Sequence, residues 1–554
     1  MGVKTCYRLL LLGLWVLGGC PGSLPDSSVS LAQGEVRSAL VLPPLRIAGR
    51  IPAVEPVLPP PPPPIPADGR VLAQRQADAT AAQYDAEFPY HGVAFHRLAQ
   101  VFHRPGDPVV AGYLRRGSRF RAKSGVEGPG CEGKWYLVDG GGLVCGGRGF
   151  VLGRTPQTFS PAPAPPDLNA QLPYRYARTV ANDVPQYYRL PSAEEEVATS
   201  EAVGRLREKR AALAVEPAAQ AEAEMGAAAS AANPTPQVAN PVAEGEAGAG
   251  ATEVDSVSAE APDPFAGILP EYVRMTMRPG FYVSVDGYET APSGRRYART
   301  VRGAYVPADR LVMATPSPFH GVAISDGLAV PRGFVHFAKA ETLSRDPELD
   351  GWTPTEPVTR FYTFEIQGPL VQVAGKDYWP NADGRLIEAR AVRVASRIER
   401  PALVPPRARW VDVNLEQQVL VAYEADTPVY ATLVATGKPG YETPTGLYRM
   451  HAKHVSTTMD GDDGADEMYS IEDVPWTMYF SGSLALHGAF WHDRFGRVRS
   501  HGCVNLAPSD ARFLFHWTRP ELPPGFHGVM PDLRAASSYV LIRDGASVTS
   551  LAER

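Results

Sequence analysis

From Arg409 onward the chain sets short apolar runs between polar breaks. Trp410-Val411-Asp412-Val413 and Val419-Leu420-Val421-Ala422-Tyr423 flank a polar turn. In "YETPTGLYRM", Pro444 and Gly446 fix another turn before the next run, and "SYVLIRD" at 538–544 closes the series. The pattern predicts a sheet packed on itself over 404–546, with one short helix in "APSDARFLFHW" from about Pro508, where Ala511, Leu514 and Phe515 share a face. Residues 85–155 carry shorter strand candidates, "KWYLVD" and "GFVLG", between Gly-rich turns, and predict a small β domain. A β extension is expected over 156–191 and a second β-rich module over 263–403. The fold class is therefore mainly β and multidomain.

The stretch 192–262 breaks this pattern. Ser192 with Glu195 three residues on is a capping box, which predicts a surface helix to about Leu213. From Ala214 to Pro262 there is no aromatic residue and no Lys or Arg. Such a segment cannot bury enough apolar area to fold, so a disordered linker is expected, with an interaction tail as the alternative. "VLPPPPPPIP" at 57–66 excludes helix and central strand and makes 20–84 an extended spacer. Two partial echoes, "FPYHGVAF" (88–95) against "SPFHGVAI" (317–324) and "LPYRYARTV" against "LPEYVRMTM", fit either two copies of one β unit or chance. The 85–155 region resembles a bacterial SH3-like barrel.

Composition narrows the function. A 554-residue chain with a formal net charge of −6 lacks the basic excess that nucleic-acid binding needs. Lys4 and Arg8 precede the apolar run Leu9–Leu17, which is the layout of a secretory signal over 1–19 and too short to span a membrane. Gly18-Gly19-Cys20 resembles the lipobox of bacterial lipoproteins. The resemblance implies cleavage before Cys20, acylation of its thiol, and a membrane anchor in the cell envelope. Pro21 and Gly22 in place of an acidic retention signal favour the outer membrane, facing the periplasm. An ordinary cleaved signal is the alternative.

Outside the cytoplasm the cysteines acquire meaning. Cys131 and Cys145 end two strand-like runs that meet at Gly140-Gly141-Gly142, so a hairpin brings them together and a disulfide is expected. Cys503 has no partner left. It sits in "RSHGCVNL" (499–506), with His501 two residues before it and His487 of "LALHG" sixteen before it. A cysteine nucleophile needs an adjacent base, and Gly502 permits a sharp turn that frees the Cys503 amide to donate to an oxyanion. A buried free thiol beside packing histidines is the plain alternative. A zinc set of Cys503, His487, His492 and His501 lacks the close ligand pairing of such sites. Asp460, Asp462, Asp463 and Asp466 miss a calcium-loop pattern and read as a solvated acidic lid. No metal and no cofactor are expected.

The segment "HG", a gap, then "SHGCVN", with the flanks "WVDVNLEQQVLVAYE" and "TPTGLYRM", resembles the L,D-transpeptidase catalytic domain family (YkuD-type), enzymes that cross-link peptidoglycan. The likeness runs over about 407–544. It implies Cys503 as nucleophile, His487 as base and then acid, and the Gly488 carbonyl as the group orienting the imidazole. It implies the amides of Gly502 and Cys503 in an oxyanion hole, aided by Tyr469, with Ser500, His501 and Asn505 shaping the loop. Many members carry arginine where Asn505 stands. The implied reaction attacks the third residue of a tetrapeptide stem, expels D-alanine through a thioester, and passes the acyl group to an amine for a 3→3 cross-link. Transfer to water (carboxypeptidase or endopeptidase action) or to a protein lysine is the second expectation, and a non-catalytic wall tether the third.

Overall fold

The computed structural model describes residues 81–158, 162–230, 265–325, 330–348, 351–461, 469–532 and 535–545. The signal, Cys20, the proline tract and the acidic stretch 462–468 lie outside the described residues. The protein is mainly β, as the alternation of short apolar runs predicts.

The first domain opens with the helix Ala81–Glu87 and continues through short strands from Tyr90–Ala94 to Phe150–Gly153. Tyr90–Ala94 is flanked by Arg119–Ala122 and Phe150–Gly153. Gly92 is required there, because a Cβ would sit 2.2 Å from the Phe120 ring. Ala99, Val101, Leu114, Phe120, Val144 and Phe150 form its core. Trp135–Leu137 and Leu143–Cys145 make the hairpin anticipated around the glycines, and Cys131 and Cys145 are joined in a disulfide.

Domain boundaries further on differ from the sequence expectation. Strands Arg175–Thr179 and Val184–Tyr187 do not form an extension of their own. They pair with Tyr282–Thr290, Leu311–Met313 and Val273–Met277, so one module is built from both sides of the 192–262 stretch. Its central strand Tyr282–Thr290 lies between Arg175–Thr179 and Arg296–Thr300, two strands with the identical sequence RYART. The capping box forms as expected, with the Ser192 amide donating to Glu195 (2.9 Å) and the Glu195 amide to Ser192 Oγ (3.3 Å). The helix runs Ala193–Ser230, well beyond Leu213. Lacking aromatics deprives a segment of burial, but its Ala and Glu content still favours helix. The expected linker is therefore helical at its start.

The 263–403 region also divides. Strands from Arg332–Val335 to Val392–Ala395 make a separate module with its own core of Val335, Phe364, Trp379, Ile387 and Val394. "SPFHGVAI" does not open a second copy of the first domain. Its strand Val322–Ala323 pairs with Thr427–Ala435 instead.

The last domain holds the largest core. Arg409–Asn414 pairs antiparallel with Val419–Glu424 and parallel with the final strand Tyr539–Arg543. Being central, these strands bury both faces, which explains their near-continuous apolar runs. Arg543 clasps the buried Asp412 with two hydrogen bonds, 2.7 and 2.9 Å, across the first and last strands. Ala452–Gly461 and Tyr469–Ser481 form a long hairpin, and Tyr469–Ser481 also pairs with Leu484–Gly488. The helix Pro508–Trp517 packs Ala511, Leu514 and Phe515 into the core, matching the predicted face.

Candidate active site

The strand Leu484–Gly488 runs parallel to Val504–Leu506, with His487 opposite Asn505. Cys503 stands two residues before Asn505, so strand alternation brings Cys503, Asn505 and His487 to one face. That face closes a cavity of about 480 Å³ whose lining includes His487, Cys503, Ser500, His501 and Asn505. Five residues singled out in the sequence are therefore brought together. Lys438, Arg494 and Arg499 make the lining basic.

His487 is buried, 2 % exposed. Its Nδ1 lies 3.4 Å from the Gly488 carbonyl oxygen. That acceptor favours the tautomer protonated at Nδ1 and leaves a lone pair on Nε2. Burial pushes the imidazole down to about 4, the Gly488 carbonyl opposing. Trp491 stacks on the ring at 5.7 Å. Cys503 is partly exposed, and its thiol is 3.9 Å from the Ser483 carbonyl oxygen. Surrounding protein pushes the thiol up, while the Ala485 amide pulls it down. These shifts favour a neutral thiol and a neutral imidazole.

The loop before Cys503 is held by hydrogen bonds. Ser500 Oγ donates to the Cys503 carbonyl oxygen and accepts the Gly502 amide at 3.2 Å. The Gly502 amide is therefore engaged within the loop, which departs from its expected place in an oxyanion hole. Gly502 has φ +104°, and a Cβ there would lie 2.9 Å from Leu484, so glycine is required. Tyr469 begins its strand opposite Gly461, and its side chain lies outside the described residues.

Several residues escaped the sequence reading. The buried Thr443 Oγ1 accepts the Gly437 amide (3.0 Å) and donates to the Gly502 carbonyl oxygen (2.8 Å), tying the "TPTG" turn to the cysteine loop. Tyr479, eight residues before His487, is close enough for a Cys503 thiolate to help raise its hydroxyl, after burial. His492 Nδ1 accepts the Arg494 amide at 3.1 Å, and its Nε2 lies 3.0 Å from the Asn505 carboxamide. The facing atom is Asn505 Nδ2, and Asn505 Oδ1 is buried beside the cavity with no hydrogen-bond partner among the described residues. The "TPTG" turn was legible as a turn, but the hydrogen bonds of its threonine were not.

Residues 408–527 match the family model YkuD, the L,D-transpeptidase catalytic domain. No curated protein matched the chain in sequence. Among solved structures the chain is similar to an L,D-transpeptidase from Stackebrandtia nassauensis, at 23% identity over 26% of this chain and 59% of that one, with a TM-score of 0.20. It is also similar to the catalytic domain of the E. faecium L,D-transpeptidase, at 24% identity over 25% of this chain and 98% of that one, TM-score 0.20. An L,D-transpeptidase from Mycobacterium smegmatis is 16% identical over 42% of this chain and 89% of that one, TM-score 0.20.

Proposed function

We propose that this chain, whose residues 408–527 match the L,D-transpeptidase catalytic-domain family, is a cysteine-dependent L,D-transpeptidase acting on peptidoglycan tetrapeptide stems. The observation that carries the reading is that His487, on the strand Leu484–Gly488, and Cys503, just before the parallel strand Val504–Leu506, line one cavity. As the thiol attacks the carbonyl of the third stem residue, its proton moves to His487 Nε2. The imidazolium then protonates the departing amine of D-alanine and leaves a thioester. The Gly488 carbonyl is aimed at the Nδ1–H and stabilises the positive ring while it exists. The Cys503 amide is the oxyanion donor, and the basic lining suits the carboxylates of a stem peptide. In the second half, an amine on another stem gives its proton back through His487 and takes the acyl group as a 3→3 cross-link. Acylation of Cys20 would hold the enzyme to the envelope membrane, with the wall as its working surface.

The test incubates the chain from residue 81 with purified disaccharide-tetrapeptide, followed by mass spectrometry. A dimer lacking one D-alanine is expected from the wild type and neither dimer nor acyl-enzyme from Cys503→Ala. His487→Ala should lower acylation at least about 10²-fold, the low end for a general base. Acylation retained in Cys503→Ala would end the assignment. Tripeptide monomer without dimer would move the acceptor to water, and an inert wild type would favour a protein lysine or a tether.

A further inference from the structure

Three parts of the protein enclose a second cavity, of about 330 Å³, and none of its lining residues lines the catalytic one. The first domain contributes Arg97, Arg115 and Arg116. The 175–313 module contributes Arg299 and Arg302, and the catalytic domain contributes Thr458, Asp473 and His527.

Five arginines and two carboxylates, Asp286 and Asp473, line it. Arg299 is satisfied by Asp286 at 2.9 Å and Glu289 at 3.1 Å. Arg302 Nε lies 3.5 Å from Asp473, the remaining carboxylate of the lining. Arg115 meets the neutral carbonyls of Ala164 (2.7 Å) and Val301 (3.5 Å) and the Tyr174 ring face, and it shares Asp473 with Arg302 electrostatically. His527 adds no positive charge, because burial and Arg115 push it down to about 3. Burial and the adjacent Arg302 push the Arg97 guanidinium down too, with Asp473 opposing.

Unmet polar atoms mark the same walls. The Arg302 side chain is only 9% exposed. Its Nη2, together with Arg299 Nε, Thr458 Oγ1 and His527 Nδ1, is buried with no hydrogen-bond partner among the described residues. Buried groups of this kind call for an occupant, since a donor or acceptor kept from water and left unmet is costly. The donors call for an anion. His527 Nε2 lies 3.1 Å from the Ser456 carbonyl oxygen, so Nδ1 is the lone-pair side and accepts a hydrogen bond from the occupant. A carboxylate offers no such donor, whereas hydrogen phosphate or a phosphomonoester offers three acceptor oxygens and one O–H. The volume is at the low end for ligand pockets, about 300–1,000 Å³, and fits a group of that size.

We propose that this junction is a phosphate-binding site, taking hydrogen phosphate or a small phosphomonoester, and that the bound anion fastens the first domain and the 175–313 module to the catalytic hairpin. Because the arginines come from separate parts of the chain, occupancy favours the docked arrangement and stabilises it by mass action.

The test uses the full chain at fixed ionic strength, with calorimetric titration and thermal melts in inorganic phosphate, glycerol phosphate, dimethyl phosphate and acetate. Saturable binding of inorganic phosphate or glycerol phosphate, with a rise in Tm, is expected. The two ligands distinguish a free ion from a phosphorylated molecule, and either one supports the site. Arg302→Gln and the exposed Arg97→Gln should each weaken binding at least tenfold, and Arg345→Gln, outside the lining, should leave it unchanged. Arg97→Gln keeps the test decisive if Arg302→Gln fails to fold. Absence of saturable binding overturns the proposal, as does binding that survives Arg97→Gln in full. Equal binding of acetate or dimethyl phosphate overturns the phosphate assignment.

Discussion

Cys503 and His487 are displaced from their ordinary pKa values in opposite directions, the thiol upward and the imidazole down to about 4. An ion pair at rest is thereby disfavoured, and reactivity depends on His487 being neutral when substrate arrives. Acylation should therefore hold steady across the neutral range, fall as the pH drops through about 4, and climb in the alkaline range as the thiol ionises. Stopped-flow acylation across pH would show this. A rise on acidification below neutrality would contradict the neutral pair. Thr443 offers a second test at this scale. Thr443→Val keeps the shape but removes the acceptor of Gly437 and the donor to Gly502. It should cost about 1–3 kcal/mol in urea unfolding and slow acylation. Unchanged stability and rate would mean the turn and the cysteine loop are not coupled through it. His487 and Cys503 were legible because their chemistry is written in a local motif. Thr443 was not, because its bond to Gly502 forms only when segments 59 positions apart meet.

Between elements, the buried Lys453 is a junction that no periodicity announces. It lies in the strand Ala452–Gly461, and its Nζ donates to the carbonyls of Phe515, Thr518 (2.8 Å) and Pro520 (2.7 Å) at the end of the helix Pro508–Trp517. Burial, with Arg519 and Arg409 nearby, pushes its ammonium well down, while the buried carbonyls at the helix end call for a donor. Lys453→Met keeps the stem and deletes the three bonds. It should lower stability by roughly 3 kcal/mol or more, because each buried carbonyl left unmet costs about 1–3 kcal/mol. A denaturation midpoint equal to wild type would show that the helix end is satisfied otherwise. The helix itself and its buried face were readable from Pro508 and the apolar spacing. The lysine reads as a surface residue in any sequence, and only the crossing of hairpin and helix makes it internal. The reverse holds for Ala193–Ser230, whose start was fixed by local hydrogen bonds and whose end was misjudged from a missing apolar face.

Across the whole molecule, the 175–313 module and the catalytic domain share one buried network. Asp473 accepts from Ser284 and Ser456, Glu472 accepts from Gln186 at 3.0 Å, and the Tyr176 hydroxyl donates to the Asp473 carbonyl at 2.6 Å. Tyr176 also stacks on Phe490 at 4.1 Å, three residues beyond His487. The sequence shows these only as strand residues, since pairing across some 300 positions leaves no local trace. This interior is sensitive to acid. His454, His487 and His527 are buried, with imidazoles pushed down to about 4, 4 and 3, mainly by burial. Each lies below the value of about 6.5 for an unfolded chain, so between these limits the unfolded state binds protons that the folded state refuses. Their stability is complete above about pH 6.5 and is lost as the pH falls toward 4, by up to about 1.4 kcal/mol per pH unit for each ring. Asp510, raised to about 6 by burial, opposes this, as do the raised carboxyls of Asp412 and Glu472, while His336, His492 and His516, pushed down to about 4, 3 and 4, reinforce it. Urea midpoints should therefore decline from pH 7 to 5, and a flat or rising series would refute the account.

The chain leaves the divided module at Tyr188 and re-enters at Tyr272, and the amide of the first bonds the carbonyl of the second at 3.0 Å. The two ends of the excursion thus meet at a single point, like the ends of a hairpin turn. The helix that begins the excursion buries Ala202, Val203 and Leu206 and ties Arg207 to Asp183 at 2.8 Å, so it is moored to the module at its root as well as at its ends.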